Sequence, residues 1–203
     1  MINKNSFLIL IIISTVIVSC KKKQSQHKES LTVNNILKKD SIKPKQKIIY
    51  TDGFDFPVGK PDANGYYNAQ KFTKNDHLGD DWNGVKGGNS DLGDPIYTIA
   101  NGYVTFAQDV KGGWGNVIRI THHINSTTKV ESLYAHCDSI LITKNQYVKK
   151  GQKIATIGTA NGIYLAHLHF EIRDSLQMPI GGGYAIDTTG YLNPTRFIKQ
   201  HRN

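Results

Sequence analysis

The sequence predicts an all-β, antiparallel domain over residues 48–203, and three observations carry that prediction. Short runs alternate apolar and polar residues, Gly, Asn and Asp cut between them, and no long amphipathic helix interrupts them. The runs are 96–100, 103–107, 117–121, 129–134, 153–157 and 167–172. Period-two alternation puts successive side chains on opposite faces of a strand, so each run can bury one face. Asn101-Gly102 stands between the first two runs and reads as a hairpin turn, because both residues tolerate positive φ. Val148-x-x-Gly151-Gln152-x-Ile154-x-x-x-Gly158 reads as a second strand–turn–strand hairpin. Only the tail from Pro194 to His201 offers a helical turn or two. Nineteen glycines in 203 residues suit a sheet protein with many tight loops.

The segments before this domain differ in kind. Lys4 precedes an apolar run from Phe7 to Val18, too short for a comfortable membrane span and laid out like a secretory signal peptide. The run ends in Ile17-Val18-Ser19-Cys20, which resembles the lipobox of bacterial lipoproteins. That resemblance implies a signal peptide over 1–19 and a lipidated Cys20, anchoring the chain in the cell envelope, with the outer membrane facing the periplasm as the expected home. Residues 21–47 hold nine Lys against Glu29 and Asp40, with few large apolar residues. Such a segment cannot bury enough surface to offset its ordering entropy, so residues 20–47 read as a lipidated Cys and a basic tether. As a random coil the tether spans roughly 30 Å.

The charge distribution also excludes a class of partner. The whole chain carries +9, but residues 48–203 hold 15 Lys or Arg against 14 Asp or Glu. A nucleic-acid-binding domain carries its basic stripe on the folded part. Here the surplus belongs to the tether, where it suits anionic headgroups. No nucleic acid is expected. With Cys20 committed to lipid, Cys137 has no intrachain partner, so stability must come from burial rather than from a disulfide framework.

Four histidines and one aspartate carry the candidate chemistry. His77 and Asp81 lie four apart across Gly79; an imidazole and a carboxylate together suit zinc, although the pair alone also fits a solvent-facing turn. His167 and His169 lie two apart on a strand and therefore face the same volume, with Leu168 and Phe170 turned into the core. Alone, that pair also fits a solvated strand face. Tyr134-Ala135-His136 ends a strand.

In order, H-x-x-x-D, Y-A-H, V-x-x-G-Q-x-I-x-x-x-G and H-L-H-F-E-I-R resemble the lysostaphin-type (LytM-type) zinc metallopeptidases over roughly 72–173. The resemblance implies a sandwich or barrel-like domain of the duplicated hybrid motif type with Gly-rich loops. It implies one Zn2+ held by His77, Asp81 and His169, with His136 and His167 serving catalysis. It further implies peptidoglycan as partner, through stem or cross-bridge peptide bonds. Three protein ligands would leave zinc an open position, the mark of a catalytic rather than a structural site. The division of proton transfer between His136 and His167 stays open at this level. A domain of the same fold that only binds peptidoglycan, or activates another wall hydrolase, is the alternative. Oligomeric state is not legible.

The chain departs from the pattern in two places. Ala166 stands where many relatives have Pro before H-L-H, in a loop expected to border the groove. Cys137 follows His136 where Leu is common, and reads as a small apolar packing residue. Trp82 and Trp114 are expected to pack, with Trp114 on the groove rim as a second possibility. His122 and His123 are expected to mark the exit of a strand. Glu171, on the face of His169, is a candidate to orient that ligand.

Overall fold

A computed structural model describes residues 48–203, and the expected signal peptide, Cys20 and the whole tether lie outside the described residues. Ten strands and one helix follow in order: β1 (Tyr66–Gln70), β2 (Asp80–Gly84), β3 (Pro95–Tyr97), β4 (Gly102–Asp109), β5 (Asn116–His123), β6 (Lys129–Ile140), β7 (Tyr147–Val148), β8 (Lys153–Ile157), β9 (Leu168–Arg173), β10 (Tyr191–Leu192) and α1 (Pro194–Gln200). All named pairings are antiparallel, in the order β1-β2-β9-β6-β5-β4-β7, with β10 on β9 and β8 bridging β3 and β6. Five of the six alternating runs lie in strands almost throughout, whereas in 96–100 only Ile96 and Tyr97 belong to β3. Among the described residues no helix is long and apolar enough to cross a membrane.

Strand β6 organises the layers. Its first part pairs with β5 on one side and β9 on the other, up to Ala135 opposite His169. From Cys137 it pairs with β8, which in turn pairs with β3. The two layers enclose an apolar core that includes Ile96, Ile99, Ile118, Ile120, Tyr134, Ile154, Ile157, Leu168 and Phe170, all essentially without solvent exposure. Leu168, Phe170 and Ile172 supply the core face of β9, as alternation requires. Phe54 and Phe197 close one end, edge to face with ring centroids 5.0 Å apart. In α1, Asn193 caps the start by accepting from Arg196 N–H at 2.9 Å, and Pro194 sits in the first turn.

Two expected hairpins are not hairpins. β3 pairs with β8, and β4 pairs with β5 and β7, so the strands flanking Asn101-Gly102 never meet. Neither residue has a positive φ. Gly102 is required for another reason: a Cβ there would lie 2.6 Å from Ile120 Cγ2 and 2.7 Å from His122 Nδ1. Likewise, β7 and β8 flank a turn closed by Gln152 N–H donating to the Lys149 carbonyl at 2.9 Å, with Gly151 at φ +71°, but pair with different strands. The local turn chemistry is legible, whereas pairing depends on which buried faces meet.

His122 and His123 lie within β5 rather than beyond it, and His122 is fully buried. Its Nδ1 lies 3.0 Å from the Asn101 carbonyl, which can only accept, so the ring proton sits on Nδ1. Nε2 then accepts from Ser132 Oγ at 2.7 Å. Ser132 Oγ also lies 3.1 Å from the Tyr134 hydroxyl, which accepts from Ile99 N–H at 3.1 Å. This buried chain of contacts ties β5, β6 and the 98–101 turn together.

A second proton, on Nε2, would remove the acceptor that faces Ser132 Oγ. Burial pushes His122 down to about 4, against the opposing hydrogen bond to Asn101. Between pH 6.5 and 4 the unfolded chain therefore binds the proton that the native chain refuses, and native stability falls as pH drops. The loss from His122 between pH 7 and pH 5 is about 2 kcal/mol. Urea unfolding of wild type and His122→Gln at both pH values measures it. The variant should show a shallower pH dependence by about that amount; equal slopes would show that His122 titrates normally.

Candidate metal centre and cleft

The site gathers around the polar face of β9. Asp81 on β2 is in register with His169 on β9, which brings a carboxylate and an imidazole side by side across two antiparallel strands. Gly79 allows this approach. It has no positive φ, and its role is one of space: a Cβ at 79 would lie 2.5 Å from the Phe170 carbonyl oxygen and 3.1 Å from His169 Cε1. Neighbouring Asp80 points the opposite way. It accepts from Phe72 N–H at 3.0 Å, Thr195 N–H at 3.0 Å and Thr195 Oγ1 at 2.6 Å, fixing β2 to the start of α1. Nothing in the sequence distinguishes the two aspartates beyond spacing; strand alternation assigns them to opposite faces.

His77, Asp81 and His169 converge. His77 Nε2 lies 2.9 Å from His169 Nδ1 and 3.2 Å from Asp81 Oδ1, and His169 Nδ1 lies 3.0 Å from the same carboxylate oxygen. One donor atom from each can be chosen so that all lie within 4.8 Å of one another. A tetrahedral zinc with bonds of about 2.0–2.1 Å separates its ligands by about 3.3 Å, so these three atoms form nearly one face of such a tetrahedron. Two imidazoles and a carboxylate suit the donor preferences of zinc. The residues present fit the ion.

Electrostatics at the cluster favour added positive charge. Burial works to raise the Asp81 carboxyl, but hydrogen bonds from His169 and His77 hold it well below the usual carboxylate range. Burial works to lower His169, yet hydrogen bonds to Asp81 and Glu171 raise it to about 9. A proton held between two carboxylates marks a place where a cation is welcome. Glu171 thus sits where the sequence suggested, 3.0 Å from His169 Nε2.

The two remaining histidines stand beside the cluster. His136 lies at the point where β6 changes partners, and its backbone is left-handed at φ +61°. Such a conformation is unfavourable for a non-glycine residue and re-aims the side chain, as bulges beside sites do. The ring is 4.7 Å from His167 and 5.6 Å from His169, and stacks on Trp114 at 6.3 Å. Burial first, then the charges of His169 and His167, depress His136 to about 3, so it is neutral at ordinary pH. His167 Nδ1 is 2.8 Å from the Leu165 carbonyl, which only accepts, so Nδ1 carries a proton and Nε2 is the nitrogen that can present a lone pair.

These groups line a cleft of about 430 Å³ bounded by Trp114, Tyr164, Gly183 and Tyr184. Trp114 is therefore on the rim, and its Nε1 donates to the Gly181 carbonyl at 2.9 Å. Tyr164, in the loop ahead of His167, packs 5.1 Å from His136, and Tyr184 packs 5.1 Å from His77. Neither tyrosine stands out in the sequence, because an isolated aromatic in a loop carries no spacing signal. Cys137 is buried in the core and burial pushes its thiol up to about 12, which removes it as a nucleophile at neutral pH.

Residues 80–186 match the sequence profile of peptidase family M23. The chain belongs to peptidase family M23. It is 44% identical over 81 residues to lipoprotein NlpD of Yersinia enterocolitica, covering 40% of this chain and 78% of that protein. It is 43% identical over 81 residues to murein hydrolase activator NlpD of Salmonella dublin, covering 40% of this chain but 20% of that protein. The fold is that of the antimicrobial peptidase lysostaphin from Staphylococcus simulans, with TM-score 0.51 and 23% identity over 68% of this chain and 50% of that chain. The M23 member described here thus spans a fifth of the activator and half of lysostaphin.

The closeness of β2 to β9 makes Gly79 a test of the site's construction. Gly79→Ala should lose about 1–3 kcal/mol in urea unfolding, because its Cβ meets strand backbone. Gly182→Ala, with nothing within 4 Å of its Cβ, should stay within about 0.5 kcal/mol of wild type.

Proposed function

We propose that the chain is a zinc-dependent endopeptidase that cleaves peptide bonds in bacterial peptidoglycan stem or cross-bridge peptides, held at the envelope by a lipid on Cys20. The observation that carries this reading is the convergence of His77 Nε2, Asp81 Oδ1 and His169 Nδ1 at 2.9–3.2 Å, with His136 and His167 both facing the same cleft. Bound to those three atoms, zinc would polarise a scissile carbonyl and acidify a water.

The chain's own residues divide the remaining work. His167, with its proton fixed on Nδ1 by the Leu165 carbonyl, offers Nε2 as the general base. His136, kept neutral by burial, offers a ring nitrogen to the developing oxyanion or the leaving amine. Trp114 and Tyr164 hold the His136 ring from two sides, so it is oriented before substrate arrives.

A second reading has an observation of its own. The relative named as a murein hydrolase activator is 43% identical over the shared 81 residues, so this domain type also occurs in a protein named for activation. Retention of all three ligand positions and both flanking histidines favours catalysis in this chain. Envelope localisation, with the outer membrane as the expected site, follows the lipobox and the lipoprotein relative.

The protein should bind zinc one to one and release peptide amines from purified sacculi, with release abolished by chelator and restored by zinc. His136→Ala should retain zinc while cleavage falls by about 10²–10⁴. Stoichiometric zinc with no cleavage, unchanged in His136→Ala, would favour the activator reading. Failure to bind zinc would end the peptidase proposal.

A further inference from the structure

Glu171 and Arg173 are charged groups to which the proposed chemistry gives no task, yet neither has any solvent exposure. Alternation places both on the same face of β9 as His169. Glu171 Oε1 lies 3.0 Å from His169 Nε2, while His169 Nδ1 faces Asp81 and His77. A carboxylate accepts and does not donate, so Glu171 keeps a proton on His169 Nε2. The nitrogen left to yield its proton to a cation is therefore Nδ1, which faces Asp81 and His77.

The second carboxylate oxygen belongs to Arg173, whose Nε and Nη2 lie 2.7 and 2.6 Å from Glu171 Oε2. The same guanidinium reaches outward. Nη1 donates to the Pro179 carbonyl at 3.0 Å and Nη2 to the Ile180 carbonyl at 2.9 Å. The next carbonyl, of Gly181, is held by Trp114, and that of Gly183 accepts from Leu78 N–H at 2.9 Å. This strap then contributes Gly182, Gly183 and Tyr184 to the cleft wall.

We propose that Glu171 and Arg173 are positioning residues that fix the tautomer of the metal-binding His169 and, through one guanidinium, tie it to the 179–184 strap that walls the cleft. The inference rests on the zinc reading above. It makes metal affinity and groove shape two readouts of one buried ion pair. A lysine at 173 would keep the charge beside Glu171 but lacks the planar fork that serves a carboxylate and two carbonyls together.

Three measurements on the full chain test this. Zinc affinity by chelator competition should fall about ten- to hundred-fold in Glu171→Gln, whose amide can donate as well as accept and so leaves the tautomer unfixed, with one-to-one binding retained at saturation. Arg173→Lys should bind zinc within about threefold of wild type but be cleaved by protease between residues 174 and 190 about tenfold faster, because the strap opens locally. Should Glu171→Gln fail to fold, the 15N shifts of the His169 ring in zinc-loaded wild type decide. A proton on Nε2 with metal on Nδ1 supports the assignment, and the reverse overturns it. Wild type that binds no zinc overturns the zinc reading and this inference together. Wild type that binds zinc, beside a folded Glu171→Gln that binds it equally well, overturns the positioning role alone. Unchanged proteolysis in Arg173→Lys overturns the tie to the strap.

Discussion

Strand β9 is buried on both faces, and the rest of the molecule depends on how its polar face is satisfied. Leu168, Phe170 and Ile172 supply one face with ordinary core contacts. The other presents His169, Glu171 and Arg173, none more than 3% exposed. A buried charge costs several kcal/mol unless it is paired and its remaining hydrogen bonds are made. Here each member has an assigned neighbour: Asp81 and Glu171 for His169, Arg173 for Glu171, and two loop carbonyls for Arg173. On the adjoining strands Arg119 and Glu131 form another buried pair, and Glu131 is in register with Arg173. The face that carries the candidate metal site therefore also requires a roof of loop backbone, which explains why the cleft has a wall on that side.

The same burial gives the histidines different characters. His169 lies between two carboxylates and favours positive charge, while His136, 5.6 Å away, has no carboxylate bonded to it and remains neutral. One is prepared to meet a cation and the other to exchange a proton or hydrogen bond beside one. The difference comes from strand geometry. β9 delivers His169 into a ladder between β2 and β6, whereas the left-handed turn at His136 takes that side chain out of the ladder and against Trp114.

What the sequence discloses follows from the range of the interactions involved. Alternation is local, so β4, β5, β6, β8 and β9 are legible and β3 in part; His167 and His169 line one cleft, as their spacing suggests, although His167 stands just ahead of β9. β2 is not: Asp80-Asp81-Trp82-Asn83-Gly84 has no apolar alternation, because Asp80 is satisfied by Phe72 and Thr195 and Asp81 by the histidines. The two supposed hairpins fail for a related reason. Turn residues show where the chain bends, while pairing is set by partners distant in sequence. His77 and Asp81 gain significance only beside His169, a residue 88 positions beyond Asp81.

Glycines mark the same boundary between local and distant causes. Gly79 and Gly102 both look like turn residues, yet neither has a positive φ, and both are required because another strand passes too close for a Cβ. At Gly79 the passing strand is β9, so the residue that looks like a hinge between two ligands is instead the contact surface that brings the third to them. Asp81 and His169 are placed by strand register on β2 and β9, and rigid elements hold side chains more accurately than loops do. His77 instead follows the short turn at 74–76 and is held by a backbone bridge to Tyr184, whose ring also packs 5.1 Å from it. The loop that walls the cleft therefore also positions one of the three candidate donors, so the shape of the wall and the geometry of the donor set are physically coupled.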